Sequence, residues 1–292
     1  MSRLALWSLV FGTLVLTACS HQDLLFISDQ YWQATVLDSS RFKDGLANLS
    51  SARGVRAKTI VVPYTSADSA KLVGAIGENE GATVVLSPLY SPEAETLAAQ
   101  FPDRRIVVFS ATVPTKVRLS NVVYLVSDPT AVFKSAAKRV SERLSVRNSG
   151  GDVPAVAGVF SDDSEGRRAM SGFRAGLETA SVRPELYAIQ VSGQADRSRL
   201  RSFLDDSAVR NVGIYLLAAP ALNAYAVELL KNNASPIVTE NWNFGATYSG
   251  KVIFSLDKDI PSALMKVVET MGRPSDNEIR IPWSIVTGRG GS

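Results

Sequence analysis

Residues 155–177 read Ala155-Val-Ala-Gly-Val-Phe-Ser161, then Asp162-Asp-Ser-Glu165, then Gly166-Arg-Arg-Ala-Met-Ser-Gly-Phe-Arg-Ala-Gly-Leu177. The opening run is small, apolar and β-branched, as expected of a strand buried on both faces. Asp163 and Glu165 read as charges at a helix start, where carboxylates are favoured. From there Met170, Phe173 and Leu177 recur at helical spacing. The stretch predicts a strand over 155–160, a polar turn, and a helix over 165–180: one βα unit.

Working outward, the same unit repeats in both directions. C-terminal to it, strands are predicted over 187–191, 212–217, 236–239 and 252–255. Helices over 197–205, 220–230 and 261–271 alternate with them, and the tail carries Ile281-Pro282-Trp283. N-terminal to the polar turn 147–152, strands are predicted over 24–27, 57–62, 83–86, 105–109 and 122–126, with helices over 33–49, 66–76 and 92–99. Ser91-Pro92 and Asp128-Pro129 each place a capping side chain before a proline suited to the first helical position. After Asp128, residues Phe133, Ala136, Ala137, Val140 and Leu144 form one apolar face. Two successive βα runs of similar size predict an α/β protein made of two doubly wound parallel-sheet lobes.

The first residues have a different character. Arg3 supplies a positive charge, and 4–16 is nearly unbroken apolar sequence. That run is shorter than the roughly 20 residues of a spanning helix and fits a signal-peptide core. Leu16-Thr-Ala-Cys19 follows and looks like a bacterial lipobox. The expectation is a signal peptide over 1–18, a diacylglycerol and fatty acyl chains such as palmitate on Cys19, and a short tether over 19–23. This would place the protein outside the cytoplasm, in the cell envelope, anchored to a membrane by lipid.

Composition then removes whole classes of chemistry. Cys19 is the only cysteine and His21 the only histidine of the 292 residues. With Cys19 lipidated, the body holds no thiol nucleophile, disulfide or thiolate metal site, and Ser-His-Asp or His-metal chemistry has no histidine to use. No glycine-rich phosphate loop or G-x-S-x-G occurs. An enzyme is not expected, nor a metal or cofactor. The net charge of +3 is spread along the chain without a basic stripe, so no nucleic-acid partner is expected.

The run 155–161, followed by the helix carrying Gly172-Phe173, resembles the start of the second lobe in type I periplasmic binding proteins. Within that superfamily the chain is most similar to the basic membrane protein group of solute-binding lipoproteins, with its nucleoside and flavin binders. The lipobox, Asp29 after the first strand, and Phe254-Ser255 carry this likeness. The stretch Asp29-Gln-Tyr-Trp-Gln33 departs from that group, and its aromatics point to the sugar-binding branch, so nucleoside, flavin and sugar all stay open. The resemblance implies a three-crossing hinge, with crossings placed near Ser127, Phe244 and Arg273. Lobe 1 then takes 24–127 plus 244–272, and lobe 2 takes 128–243 plus 273–292. It further implies a monomer that closes on a small molecule and delivers it to an ABC-type permease. A ligand sensor of the same fold, or a structural envelope lipoprotein with an emptied cleft, are the alternatives.

Ligands of open α/β sheets bind beyond the carboxyl ends of the strands. The loops predicted there begin at Asp29, Pro63, Ser87, Ser110, Ser127, Ser161, Ser192, Ala218 and Glu240. They hold Tyr31, Trp32, Tyr64, Tyr90 and Trp242, whose flat faces suit a planar ring or the apolar side of a sugar. Core packing is the other reading of each. Asp29, Ser87, Ser110, Asp162, Arg167 and Asn241 supply hydrogen bonds for polar edges. For Asp162 and Arg167 the other reading is a solvated helix start.

Overall fold

The computed structural model describes residues 23–63, 69–110, 119–147, 154–210, 212–240, 250–270 and 277–287. The apolar run Leu24 to Ile27 forms the centre of β1 (Asp23–Ser28), and all four side chains are buried. A strand apolar on both faces needs cover on both, which fits a parallel sheet between helices. β1 pairs in parallel with β2 (Arg56–Val61) on one side and β3 (Thr83–Leu86) on the other. With β4 (Ile106–Ser110), β5 (Val122–Val126) and β11 (Glu278–Arg280) they form a six-stranded sheet of order β11-β5-β4-β3-β1-β2. The helices between these strands are α1 (Ser40–Arg53), α2 (Ser69–Gly77) and α3 (Ala94–Gln100).

The second sheet has the order β12-β10-β9-β8-β6-β7. Its strands are β6 (Ala155–Ser161), β7 (Glu185–Val191), β8 (Ile214–Ala218), β9 (Ile237–Thr239), β10 (Val252–Lys258) and β12 (Trp283–Val286). β6 pairs in parallel with β7 and β8, β9 pairs in parallel with β8 and β10, and β12 closes the edge antiparallel to β10. The helices are α4 (Thr130–Arg147), α5 (Ser164–Glu178), α6 (Arg197–Val209), α7 (Pro220–Leu229) and α8 (Ile260–Glu269). In both sheets the winding reverses at the first strand, since β1 lies between β2 and β3, and β6 between β7 and β8. This is the doubly wound pattern predicted, and it opens the carboxyl ends of the central strands as ligand positions.

The stretch 155–177 forms the core of the second sheet's unit. Phe133, Ala136, Ala137, Val140 and Leu144 of α4 pack with Ala169, Phe173 and Leu177 of α5 on Val156 and Phe160 of β6. Gly172 is required there. A Cβ at this position would fall inside contact distance of the Thr130 carbonyl, so only glycine lets α5 approach α4 this closely. The Gly-Phe pair thus has a local cause: the glycine admits the neighbouring helix while Phe173 fills the core beside it.

Three expectations are corrected. The predicted helix 33–49 is two pieces, a short helical segment Gln30–Trp32 running into a π-helical turn Gln33–Leu37, then α1. The break falls where Ser39 Oγ accepts the Phe42 N–H and starts a new helix. Ser91 does not cap a helix at Pro92. That segment is 3-10 from Pro88 to Glu93, and Ser91 Oγ donates instead to the Phe109 carbonyl. Finally, the chain crosses between its two compact units at 263/264 rather than near Phe244. β10 was assigned to the first lobe, but it pairs with β9 and β12, and its Phe254 and Leu256 fill the second unit's core. The chain leaves that unit inside α8, between Ala263 and Leu264, and β11 edges the first sheet.

Candidate functional site

At the carboxyl edge of the first sheet, Asp29 and Ser87 follow the adjacent strands β1 and β3. Asp29 caps the short helix: one carboxylate oxygen accepts the Trp32 N–H at 2.9 Å, and the other accepts from Ser87 Oγ at 2.8 Å. Both side chains are buried. The sequence placed these two residues in a site, and the structure brings them together, with their polar groups directed at each other and at the local backbone.

Two aromatics of this edge follow the core-packing reading. Trp32 is buried, its ring 5.2 Å from Phe109 and 6.4 Å from Phe26. Tyr90 is buried too, with its hydroxyl donating to the Val62 carbonyl. Both rings therefore belong to the first unit's core, because the strand-end segments fold back over the sheet and bury them. Ser110 ends β4 half-buried, and its carbonyl accepts the Ser127 N–H at 3.1 Å. The backbone of Tyr31 lies in the short helix, but its side chain is outside the described residues, as are Cys19, Tyr64, Asn241 and Trp242.

At the carboxyl edge of the second sheet, β6 ends in Ser161-Asp162-Asp163 and turns into α5. Asp163 caps this helix by accepting the Gly166 N–H at 2.7 Å. The turn is so tight that a Cβ on Gly166 would collide with the Ser161 carbonyl. Asp162 and Arg167 form an ion pair at 3.1 Å, and both are exposed. The solvated-helix-start reading fits this pair.

The first turn of α5 points Glu165 at Lys258, the last residue of β10, with the carboxylate 2.5 Å from the ammonium. Glu240, directly after β9, approaches the same ammonium at 3.4 Å. Trp283 of β12 is the cross-strand partner of Lys258, and the ammonium lies 5.1 Å from its ring centre. A cation over an indole face gains from the ring's quadrupole, more so when partly desolvated. Glu240 is 8% exposed, while Lys258 and Glu165 keep 29% and 25% of their side-chain surface open. The corner is thus a deep carboxylate behind a partly open ammonium and a partly open carboxylate.

The titration of the corner follows from this geometry. Burial pushes Glu240 up to about 7; Lys258 opposes the rise, and Glu165 and Asp163 add to it. Burial works against the Lys258 ammonium, but Glu165 and Glu240 together outweigh it and raise its pKa. Perturbed groups gathered at a strand-end corner mark a candidate site. The sequence reading missed all four members and left Trp283 in the tail. It took Glu165 for a helix-end charge, used Glu240 only to mark a loop, and ended β10 at Ser255. With the strand carried to its true end, the strand-end rule would have reached Lys258. Among the described residues no group of three or more His, Cys, Asp or Glu could hold a metal ion, and no helix is long and apolar enough to cross a membrane.

The two sheets, their order and their flanking helices define a type I periplasmic binding fold. The structure is similar to a sugar-binding protein of a sugar ABC transporter from Bacillus halodurans, with TM-score 0.66 and 16% identity over 93% of this chain and 99% of that one. It is similar to a Caulobacter myo-inositol binding protein, with TM-score 0.61 and 12% identity over 92% and 94%. It is also similar to a transcriptional activator of the comK gene from Bacillus halodurans, with TM-score 0.70 and 12% identity over 92% and 91%. No protein-family model and no curated protein matches the sequence.

Proposed function

We propose that this chain is an extracytoplasmic solute receptor, anchored by lipid on Cys19, that binds a small polar molecule and passes it to an ABC-type importer. The observation that carries the reading is the Lys258 corner: an ammonium set between Glu165 and Glu240 against Trp283, at the edge where folds of this type receive ligands. The arrangement offers hydrogen-bond acceptors, a donor and an aromatic face, which together suit a polyol or sugar. Sugar and inositol binders with the same fold support that class ahead of nucleosides and flavins. Trp32 and Tyr90 leave the list of ligand contacts, because their rings are buried.

A thermal-shift screen of sugars, polyols, nucleosides and flavins tests the reading. A solute at 100 times its dissociation constant adds about 2.7 kcal/mol to stability. At least one class should shift the wild type, and Lys258→Ala should abolish the shift. No shift with any class, together with no retained solute in native mass spectrometry, would refute the receptor reading. A comK activator of the same fold favours a second reading, in which the bound solute is sensed rather than moved. Solute uptake that continues unchanged after deletion of the protein would favour that one. Globomycin-sensitive processing and acylation of Cys19 would test the anchor.

A further inference from the structure

The corner holds more negative charge than positive. Glu165 and Glu240 share one ammonium, and Asp163 at the helix start adds a third carboxylate. The charged groups facing Glu240 are Asp163, which caps α5, Glu165 from its first turn, and Lys258 from β10. Arg167, in the first turn of α5, is engaged by Asp162. Trp283, from β12, brings no charge but presents a face that favours cations.

This arrangement discriminates by charge. The Lys258 ammonium already has two carboxylates and an indole, so an incoming phosphate or carboxylate would add to an existing surplus. A cation would reduce it. Resting on the receptor reading above, we propose that the corner selects solutes bearing a protonated amine, received by Glu165 and Glu240, over neutral solutes of the same skeleton. An ammonium donates three hydrogen bonds and accepts none, which matches a pair of carboxylates whose present cation cannot saturate their lone pairs. Glu165 and Lys258 are the open part of the corner, so a solute would reach Glu165 first and draw on Glu240 behind it.

A proton is the competing cation. Glu240 takes one up as the pH falls through about 7. A complex that needs Glu240 ionised therefore weakens by about tenfold between pH 8 and pH 6, whereas a complex with a neutral solute does not.

Calorimetric titration with matched pairs tests this: 6-amino-6-deoxyglucose against glucose, and 5′-amino-5′-deoxyadenosine against adenosine. At pH 8 the aminated member of a pair that binds should bind about tenfold or more tightly than its partner. The preference should shrink at pH 6 and vanish in Glu240→Gln and in Glu165→Gln, where the two members of the pair should bind alike. Equal or tighter binding of the neutral member at pH 8 overturns the inference and leaves the receptor reading standing. If neither pair binds, native mass spectrometry of freshly purified protein decides. A retained solute with a basic nitrogen supports the inference, one without overturns it alone, and no retained solute overturns the receptor reading with it.

Discussion

The carboxyl edges of the two sheets both carry acidic residues and use them differently. At the first, Asp29 meets a backbone N–H and a serine hydroxyl, one for each oxygen, and its charge closes the turn between β1, the short helix and β3. At the second, two carboxylates compete for one ammonium, and part of the cluster is open to solvent. A carboxylate whose oxygens are each matched by a local donor is structural. One that shares its donor keeps capacity for something else. The difference in partners, rather than in residue type, separates scaffold from candidate site.

Lys258→Ala should have the largest effect, because it strands a buried carboxylate. Breaking a buried pair costs about 3–5 kcal/mol. We expect roughly 3 kcal/mol at pH 8 by urea denaturation, falling toward pH 5 as Glu240 takes up a proton. A loss that is the same at both pH values would break the distinction between the two edges. Asp29→Ala should cost about 1–2 kcal/mol by the same measurement, as a lost cap plus an orphaned Ser87.

Glu240→Gln reads the linkage directly. The folded-state pKa of about 7 lies above the ordinary 4.5, so the folded state holds the extra proton between those values. This group's contribution to stability therefore falls as pH rises from about 4.5 to 7 and stays low above. The variant should lose that part of the slope and gain stability relative to wild type at pH 8. An unchanged pH profile would mean that Glu240 is already ionised throughout. The smallest effect is expected at the exposed Asp162–Arg167 pair, where Asp162→Asn should change stability by less than about 1 kcal/mol.

The fold was legible in the sequence because burial on both faces leaves unbroken apolar runs such as Leu24 to Ile27 and Ala155 to Phe160, and helix faces such as Phe133 to Leu144 repeat at 3.6 residues. The unit boundary was less so. β10 reads the same whichever sheet it joins, and only its pairing with β9 assigns it. The Asp29–Ser87 contact was reachable because both residues follow strands that the pattern had already marked. Trp32 and Tyr90 stayed open between cleft and core, since position after a strand does not tell whether a ring turns outward or back onto the core. Lys258 escaped because Asp257 and Lys258 end the apolar run while the backbone ladder continues to Lys258, opposite Trp283. Its partners come from three other segments, and no local pattern joins them.

The central claim is that solute binds at the Lys258 corner. The indole N–H resonance of Trp283, assigned through Trp283→Phe in 15N-labelled protein, reports on that corner directly. On titration with a solute identified by thermal shift, the resonance should move in a saturable way, with the dissociation constant found by calorimetry. A solute that binds by calorimetry while the Trp283 resonance and the Lys258 side-chain signals stay fixed would contradict the claim.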